Sequence, residues 1–285
     1  MKKKAKYLNE ILLLVVAIIW GSGFIASKIA LNAGATPILM LVLRFLTASV
    51  ILSIVFYKHL KLISKEDIFG GFIVGLFLFL GFIFQTIGIK YTTPSKNAFL
   101  TGVNVIIVPF ICWFIYKKKP SIKSFLSTFI CLIGIGLLTL DTTIGFNIGD
   151  LLTLICAVFF ALHIVSNGYF SKKIHPINLT ILQMYFAFIF SFLSFFLFEG
   201  SINIQLNATA ILSILYLGIF STSISFFIQT YAQNKVHANK TALLLSTESL
   251  FGSIFSVILL GELLTPKLIL GCIIIFLAIL ISELN

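Results

Sequence analysis

The chain has 285 residues, of which 59% are hydrophobic and only 10% are charged, and its net charge is +11. A water-soluble domain needs more polar surface to cover its core, so this composition excludes a soluble protein and indicates lipid as the solvent. The lysines lie between apolar runs and form no basic surface interleaved with aromatic residues, which argues against nucleic acid as a partner.

Ten apolar runs follow one another along the chain, and each is long enough for a membrane-spanning helix, which needs about 20 residues. The connections between them are short. The sequence therefore predicts an all-α integral membrane protein with ten transmembrane helices in the lipid bilayer. The predicted spans are residues 10–32, 36–57, 68–89, 94–116, 122–140, 148–169, 177–198, 208–231, 238–260 and 264–283.

Polar and aromatic residues recur at helical spacing in three spans, so each set lies on one helix face. Such a face in an otherwise apolar bundle is expected to point inward. We predict that these faces line a substrate cavity, although each residue taken singly also suits helix packing. The sets are Trp20, Phe24 and Ser27 in span 1, Asn97, Thr101 and Asn104 in span 4, and Phe160, His163 and Asn167 in span 6.

Arg44, in span 2, is the single arginine among twenty basic residues. It lies about eight residues into its span, or roughly 12 Å deep at 1.5 Å per residue. A buried guanidinium is costly unless it is paired, and arginine offers planar, bidentate geometry that lysine lacks. Two interpretations stay open, namely a residue that binds a substrate carboxylate and a structural brace.

Glu248, in span 9, is the opposite charge and lies near the expected midplane. Carboxylates within a membrane often carry protons or bind cations. We hypothesise that Glu248 either pairs with Arg44 or couples transport to a proton or cation. A purely structural role is an equal alternative.

The chain contains an internal repeat, because residues 82–132 align without gaps to residues 226–276. Five helices per half is an odd number, so the second half must enter the membrane inverted, an arrangement typical of transporters with a midplane site. The sequence thus predicts two repeats, 1–145 and 146–285. Matched pairs are Phe82–Phe226, Gln85–Gln229, Thr86–Thr230, Lys96–Lys240, Asn104–Glu248, and, at slightly shorter offsets, Glu10–Asp150, Trp20–Phe160 and Arg44–Gln183.

The inverted pair Gln85 and Gln229 is predicted to lie toward opposite membrane faces, where each could belong to a gate. Gln183, the match of Arg44, is predicted to contact substrate.

The orientation of the chain in the membrane follows from the distribution of its lysines. With a cytoplasmic N-terminus, 15 lysines fall inside and 3 outside, which fits the excess of positive charge in cytoplasmic loops. We therefore expect a multi-pass plasma-membrane protein with both termini cytoplasmic.

Three sequence segments resemble the EamA family of the drug/metabolite transporter superfamily. They are WGSGFIASKIA from Trp20, Pro37 followed by Arg44-Phe45, and TESLFGSIFSVILLGELLTP from Thr247. The resemblance covers essentially the whole chain. It implies a ten-helix inverted-repeat fold with a central cavity, helices 5 and 10 outside that cavity, and transport, often export. The chain departs from the family where Lys117 and Lys118 replace the Gly-Glu pair found at Gly261-Glu262.

The leading function hypothesis is a secondary transporter of small metabolites, an exporter of amino acids or amphipathic compounds by alternating access. A lipid or lipid-precursor flippase is the alternative, and a membrane-embedded enzyme or structural subunit is an alternative of another class. No hydrolase, protease or phosphate-loop motif occurs, and no metal-ligand spacing occurs, so neither enzymatic activity nor a metal or cofactor is expected. A monomer and a homodimer both remain open.

Overall fold

The structure is a computed structural model that describes residues 7–92, 94–117, 119–139, 147–200, 206–260 and 265–283. All regular elements among these residues are helices, which confirms the predicted helical class. Lys118, Gly261 and Glu262, on which the family departure rests, lie outside the described residues. The helices are α1 (Leu8–Asn32), α2 (Pro37–Val55), α3 (Tyr57–Leu60), α4 (Lys65–Tyr91), α5 (Pro94–Gly102), α6 (Asn104–Tyr116), α7 (Ile122–Thr139), α8 (Ile148–Phe170), α9 (Pro176–Phe198), α10 (Ala208–Tyr216), a π-helical segment (Leu217–Ile224), α11 (Ser225–Gln233), α12 (Ala238–Leu245), α13 (Glu248–Leu260) and α14 (Pro266–Glu283).

Successive long helices run in opposite directions, because short connections join neighbouring ends. We call the end of the bundle where α1 begins the proximal end, and the end where α1 finishes the distal end. Helices α4, α7, α9 and α12 also begin at the proximal end, whereas α2, α5, α8, α10 and α14 begin at the distal end.

Seven helical stretches among the described residues are long and apolar enough to cross a membrane. Two shorter apolar stretches lie within α7 and α14, and the remaining predicted span, 238–260, is divided into α12 and α13. Length and composition therefore support a multi-pass membrane protein and account individually for seven of the predicted spans. These seven are Leu8–Asn32, Pro37–Val55, Lys65–Tyr91, Asn97–Ile115, Ile148–Phe170, Pro176–Phe198 and Ala208–Gln233.

Two long helices begin with the same capping arrangement at opposite ends of the bundle. At the proximal end, Ser64 Oγ accepts a hydrogen bond from the Asp67 amide, and the Asp67 carboxylate accepts one from the Ser64 amide. Asn147 and Asp150 form the equivalent capping box at the start of α8. Each box satisfies amide groups that the first helical turn leaves without partners, so it fixes where the helix starts.

Two of the predicted spans are interrupted near their middle, and the interruptions are matched by the repeat. Span 4 breaks between α5 and α6 at Val103, and span 9 breaks between α12 and α13 at Ser246 and Thr247. Ser246 Oγ and Thr247 Oγ1 donate to carbonyl oxygens three residues earlier, at 2.8 and 2.6 Å, and such bonds bend helices. Val103 and Thr247 occupy equivalent positions under the repeat, so each half has its bend at the same point of the corresponding span.

The π-helical segment Leu217–Ile224 lies between α10 and α11. Its wider turns are accompanied by hydroxyl groups that donate to carbonyls five residues earlier. Thr222 Oγ1 donates to the Leu217 oxygen at 2.8 Å, and Ser223 Oγ donates to the Gly218 oxygen at 2.7 Å. Short π-helical stretches in proteins often occur at functional sites, and this one faces the central cavity described below.

The long helices form two groups around the centre of the molecule. The α4 group consists of α4, α5, α6, α8 and α9, and the α1 group consists of α1, α2 and α10 to α13. Within the α1 group, a Cβ on Gly21 would lie 2.7 Å from the Gly252 amide nitrogen, so α1 and α13 pack backbone to backbone. Helices α7 and α14 pack against each other at the side, with Gly134 against Ile275.

Candidate functional site

A cavity with an empty volume of ≈ 620 Å³ lies between the two helix groups. Its described lining includes residues of α1, α2, α4, α5, α6 and α8 and of the segment from Ser221 to Glu248, and none of α7 or α14. Eleven residues predicted from the sequence lie on it: Trp20, Phe24, Ser27, Arg44, Gln85, Thr101, Asn104, Phe160, His163, Gln229 and Glu248. The predicted faces of spans 1, 4 and 6 therefore do converge.

Six further lining residues did not stand out in the sequence, and they are Gly23, Phe82, Ile164, Ser221, Phe226 and Leu245. Five of these are apolar residues or glycine, for which the sequence does not distinguish a cavity wall from a packing surface. The repeat did pair Phe82 with Phe226, and the structure places these two rings in contact, with centroids 5.9 Å apart.

Arg44 is held by hydroxyl groups of the π-helical segment. Its Nε donates to Thr222 Oγ1 at 2.5 Å and its Nη2 donates to Ser221 Oγ at 3.0 Å. The guanidinium carbon lies 4.1 Å from the centroid of the Phe82 ring, a cation–π distance. Arg44 is only 4% exposed, so these contacts replace the water that its charge loses on burial. These contacts hold Arg44 against the π-helical segment, and its side chain also lies on the cavity wall.

Glu248 is the first residue of α13, directly after the bend in span 9. Its side chain is 8% exposed and lines the cavity. Within the described residues its carboxylate has no hydrogen-bond or ion-pair partner, and Arg44 forms no ion pair either. The hypothesis that these two residues pair is therefore not met in this conformation. A buried carboxylate without a partner is costly, so Glu248 is available to a ligand, a cation or a proton.

The repeat-matched pairs surround the cavity as pairs. Asn104 begins α6 just as Glu248 begins α13, and both side chains line the cavity. Gln85 and Gln229 also both line it. Two matched pairs around one space are what an inverted repeat produces at its centre. The cavity wall is thus chemically uneven, because Asn104 is neutral where Glu248 can carry a charge.

Aromatic rings form another part of the cavity wall. Trp20 lies 5.0 Å from Phe226 and Phe82 lies 5.1 Å from Phe160, measured between ring centroids. Trp20 Nε1 donates to the Ser221 carbonyl at 2.8 Å, which fixes the indole against the π-helical segment. A ligand in this cavity would meet aromatic faces as well as amide and carboxylate groups.

At the proximal end, below the cavity, five buried side chains form a continuous hydrogen-bonded network that we call the polar seal. It consists of His163, Asn167, Gln183, Thr230 and Gln233, all at most 2% exposed. His163 Nε2 donates to Gln183 Oε1 (3.0 Å), and Gln183 Nε2 donates to Thr230 Oγ1 (3.1 Å). Thr230 donates to Asn167 Oδ1 (3.2 Å), and Asn167 Nδ2 donates to Gln233 Oε1 (2.8 Å).

Three predicted substrate contacts lie away from the cavity wall. Asn167 and Gln183 belong to the polar seal, and Asn97 donates to Thr153 Oγ1 at 2.8 Å between α5 and α8. The expectation that polar faces point inward placed these amides inside the bundle. It could not distinguish a side chain on the cavity wall from one in a contact between helices. Gln233 was missed altogether, although its i, i+4 spacing from Gln229 in an apolar helix was a usable signal.

The distal part of the lining is more accessible than the proximal part. Phe24, Ser27 and Gln85 are partly exposed there, whereas His163 and Gln229 on the proximal side are buried. In the described part of the chain, a single hydrogen bond joins α1 to α4 near the distal end, from Lys28 Nζ to the Ile89 carbonyl at 3.4 Å. Among the described residues, the cavity lining is therefore closed at the proximal end and more accessible toward the distal end.

Metal binding has no evident site in the same region. Among the described residues, no three His, Cys, Asp or Glu side chains lie close enough together to hold a metal ion. The polar groups on the cavity wall are amides, hydroxyls, one guanidinium, one imidazole and one carboxylate, which suits reversible binding of a small polar or amphipathic molecule.

Comparison with known proteins gives matches along nearly the whole chain. The model of the EamA-like transporter family matches twice, over residues 8–140 and 147–284. An uncharacterized transporter of Archaeoglobus fulgidus is 34% identical over 276 residues, covering 96% of this chain and 85% of the relative. The uncharacterized transporter YoaV of Bacillus subtilis is 25% identical, covering 91% of each chain. A solved crystal structure shares the fold with a TM-score of 0.80 at 16% identity, covering 97% of this chain and 98% of that one.

Proposed function

The chain belongs to the EamA-like transporter family and is a multi-pass membrane protein, and we propose that it is a secondary transporter that moves small metabolites by alternating access. In such transporters the substrate site lies between repeats near the midplane, and opposite ends open in turn. One observation supports this most strongly. A buried cavity between two helix groups contains a carboxylate, Glu248, that no described residue pairs.

We propose further that all ten predicted spans cross the membrane, as two inverted repeats at 1–145 and 146–285. The double family match, the matched bends at Val103 and Thr247, and the contact of Phe82 with Phe226 support this arrangement. Helices α7 and α14 are then peripheral spans that pack on each other. The span that is divided into α12 and α13 then crosses the membrane as one bent helix.

The proximal end is proposed to be cytoplasmic and the distal end to face outward across the plasma membrane. The lysine distribution supports this orientation, since 15 lysines belong to proximal segments and 3 to distal ones. In that orientation the cavity opens to the outside, and the polar seal closes it toward the cytoplasm. Both termini are then cytoplasmic.

The proposed substrates are amino acids or amphipathic compounds, carried outward. The aromatic wall of Trp20, Phe82, Phe160 and Phe226 suits an apolar body, and Glu248 suits an ammonium group or a coupling proton or cation. Arg44 presents the remaining part of its guanidinium, beyond the two hydroxyl bonds, to the cavity. A molecule with a polar, charged end and an apolar end matches both sides of the wall.

Counterflow in proteoliposomes tests this proposal. The purified protein is reconstituted and tested with labelled amino acids and amphipathic cations, with and without a pH gradient. Saturable flux should fall at least about tenfold in Glu248→Gln, because an uncharged amide removes charge pairing at the site. Glu66→Gln, the same change at an exposed position of α4, serves as the matched control.

Two results would count against the proposal. Full, pH-independent transport by Glu248→Gln would remove Glu248 from both substrate binding and coupling. No flux of any compound by a folded wild-type protein would favour the flippase hypothesis, and lipid scrambling in the same vesicles would then be measured.

A further inference from the structure

The hydrogen bonds of the polar seal join the two helix groups. Asn167 of α8 and Gln183 of α9 belong to the α4 group, whereas Thr230 and Gln233 of α11 belong to the α1 group. The bonds Gln183–Thr230, Thr230–Asn167 and Asn167–Gln233 all cross between the groups. Opening the proximal end would have to break them.

Gln233 is the centre of this network. Its Oε1 accepts from Asn167 Nδ2 at 2.8 Å and from Gln229 Nε2 at 3.3 Å, and its Nε2 donates to the Ile164 carbonyl at 2.6 Å. The side chain is fully buried. Unpaired amides in such surroundings are costly, so the closed arrangement is stable only while these bonds are intact.

Two residues connect the polar seal directly to the cavity. Gln229 lines the cavity and donates to Gln233, and His163 lines the cavity and donates to Gln183. The Gln229 Oε1 atom is buried and has no hydrogen-bond partner among the residues that the structure describes. A hydrogen-bond donor on a ligand could bond to that oxygen and thereby draw Gln229 away from Gln233.

We propose that the polar seal is the cytoplasmic gate and that a bound ligand acts on it through Gln229 and His163. This inference rests on the proposed function and orientation. It assigns Gln233, Asn167, Gln183 and Thr230 to positioning the closed gate rather than to binding substrate. Loss of Gln233 should shift the protein toward the inward-open form, because water can satisfy the separated groups only when the end is open.

Cysteine labelling in nanodiscs tests the gate without any substrate, so its failure is separable from failure of the transport proposal. The four native cysteines are replaced, and Ser171→Cys reports on the proximal side. Ser171 is 1% exposed, and within the described part of the chain its hydroxyl has no hydrogen-bond partner, so the reporter disturbs little. Ser27→Cys, partly exposed at the distal side, reports on the opposite opening.

Gln233→Leu should raise the maleimide labelling rate of Ser171→Cys by about tenfold, since several buried bonds are lost together, and should lower the rate at Ser27→Cys. Asn97→Leu is the matched control, because Asn97 lies away from the cavity wall and donates to Thr153 and to the Gln85 carbonyl within its own helix group. It should leave the Ser171→Cys rate unchanged.

Equal labelling of Ser171→Cys in Gln233→Leu and in its parent, with both monodisperse on gel filtration, would overturn the proposal. Should Gln233→Leu not fold, Asn167→Ala removes two bonds of the polar seal instead. It should raise the labelling rate of Ser171→Cys by a smaller factor. An equal rise in the Asn97→Leu control would also overturn it, because the effect would then not depend on bonds between the groups.

Discussion

The two ends of the cavity are built from matched helices but are joined by different chemistry. At the proximal end, buried amides of α8, α9 and α11 form the polar seal. At the distal end, the corresponding helices α1 and α4 share the Lys28–Ile89 bond in the part of the chain that the structure describes. The comparison shows that helices matched by the sequence repeat are joined by different hydrogen bonds at the two ends, among the residues that the structure describes.

The difference lies in a few side chains at equivalent positions. Under the repeat, Asn167 corresponds to Ser27 and Gln233 corresponds to Ile89. An amide has donors and an acceptor that can bond across a helix contact, whereas a serine has one hydroxyl and an isoleucine has no polar group. At these two matched positions the distal end therefore has no amide that could form the bonds made by Asn167 and Gln233.

The contact between α2 and α9 does not share this asymmetry, because hydrogen bonds join these helices at both ends. Glu199 accepts from Thr36 Oγ1 and from the Leu39 amide at the distal end, and Ser53 and Tyr185 share a hydrogen bond further along. A contact fastened at both ends is suited to act as the pivot about which the two groups rock.

The largest effect expected from this comparison is a difference in transport between changes at Thr230 and at Thr86, which the repeat matches. Thr230→Val removes two bonds of the polar seal, so counterflow should fall about fivefold or more, since a gate that cannot close uncouples transport. Thr86→Val, the isosteric change at the matched position outside the cavity lining, should stay within about twofold of wild type. Equal losses in the two variants would contradict the comparison.

Much of this comparison was accessible from the sequence, and part of it was not. Apolar runs gave the helices, and the offset between Gln85 and Gln229 gave the repeat, because both signals depend on local spacing. The bends at Val103 and Thr247 were not predicted, since a bend within an apolar run changes no composition. Whether Asn167 contacts substrate or Gln233 depends on distances between helices, which spacing along one helix does not contain.

A smaller effect is expected from building the missing bonds at the distal end. The double variant Ser27→Asn, Ile89→Gln supplies amides at the positions matched to Asn167 and Gln233. Labelling of Gln85→Cys, in a background without native cysteines, should slow by about threefold as the distal end closes more often. The single variants should each do less. Unchanged labelling in the double variant would mean that backbone geometry, and not the amides, sets the asymmetry.

The smallest effect is expected from an ion pair within one helix group. Lys240 Nζ lies 3.1 Å from Glu10 Oε1 at the proximal end, and both residues belong to the α1 group. Because the pair is partly exposed, Lys240→Met should lower the melting temperature by only about 1–3 °C. Labelling of Ser171→Cys should not change. A large rise in that labelling would show that bonds within a group also control the opening.

The π-helical segment Leu217–Ile224 has a consequence for insertions and deletions in this family. A π-helical stretch holds an extra residue relative to an α-helix, and one residue corresponds to about 100° of rotation in an α-helix. Because the wider turns take up that extra residue, deleting one residue there would let α10 and α11 continue as a regular helix, with Gln229 and Gln233 still facing the polar seal. The deletion would instead displace the Ser221 and Thr222 hydroxyls that hold Arg44.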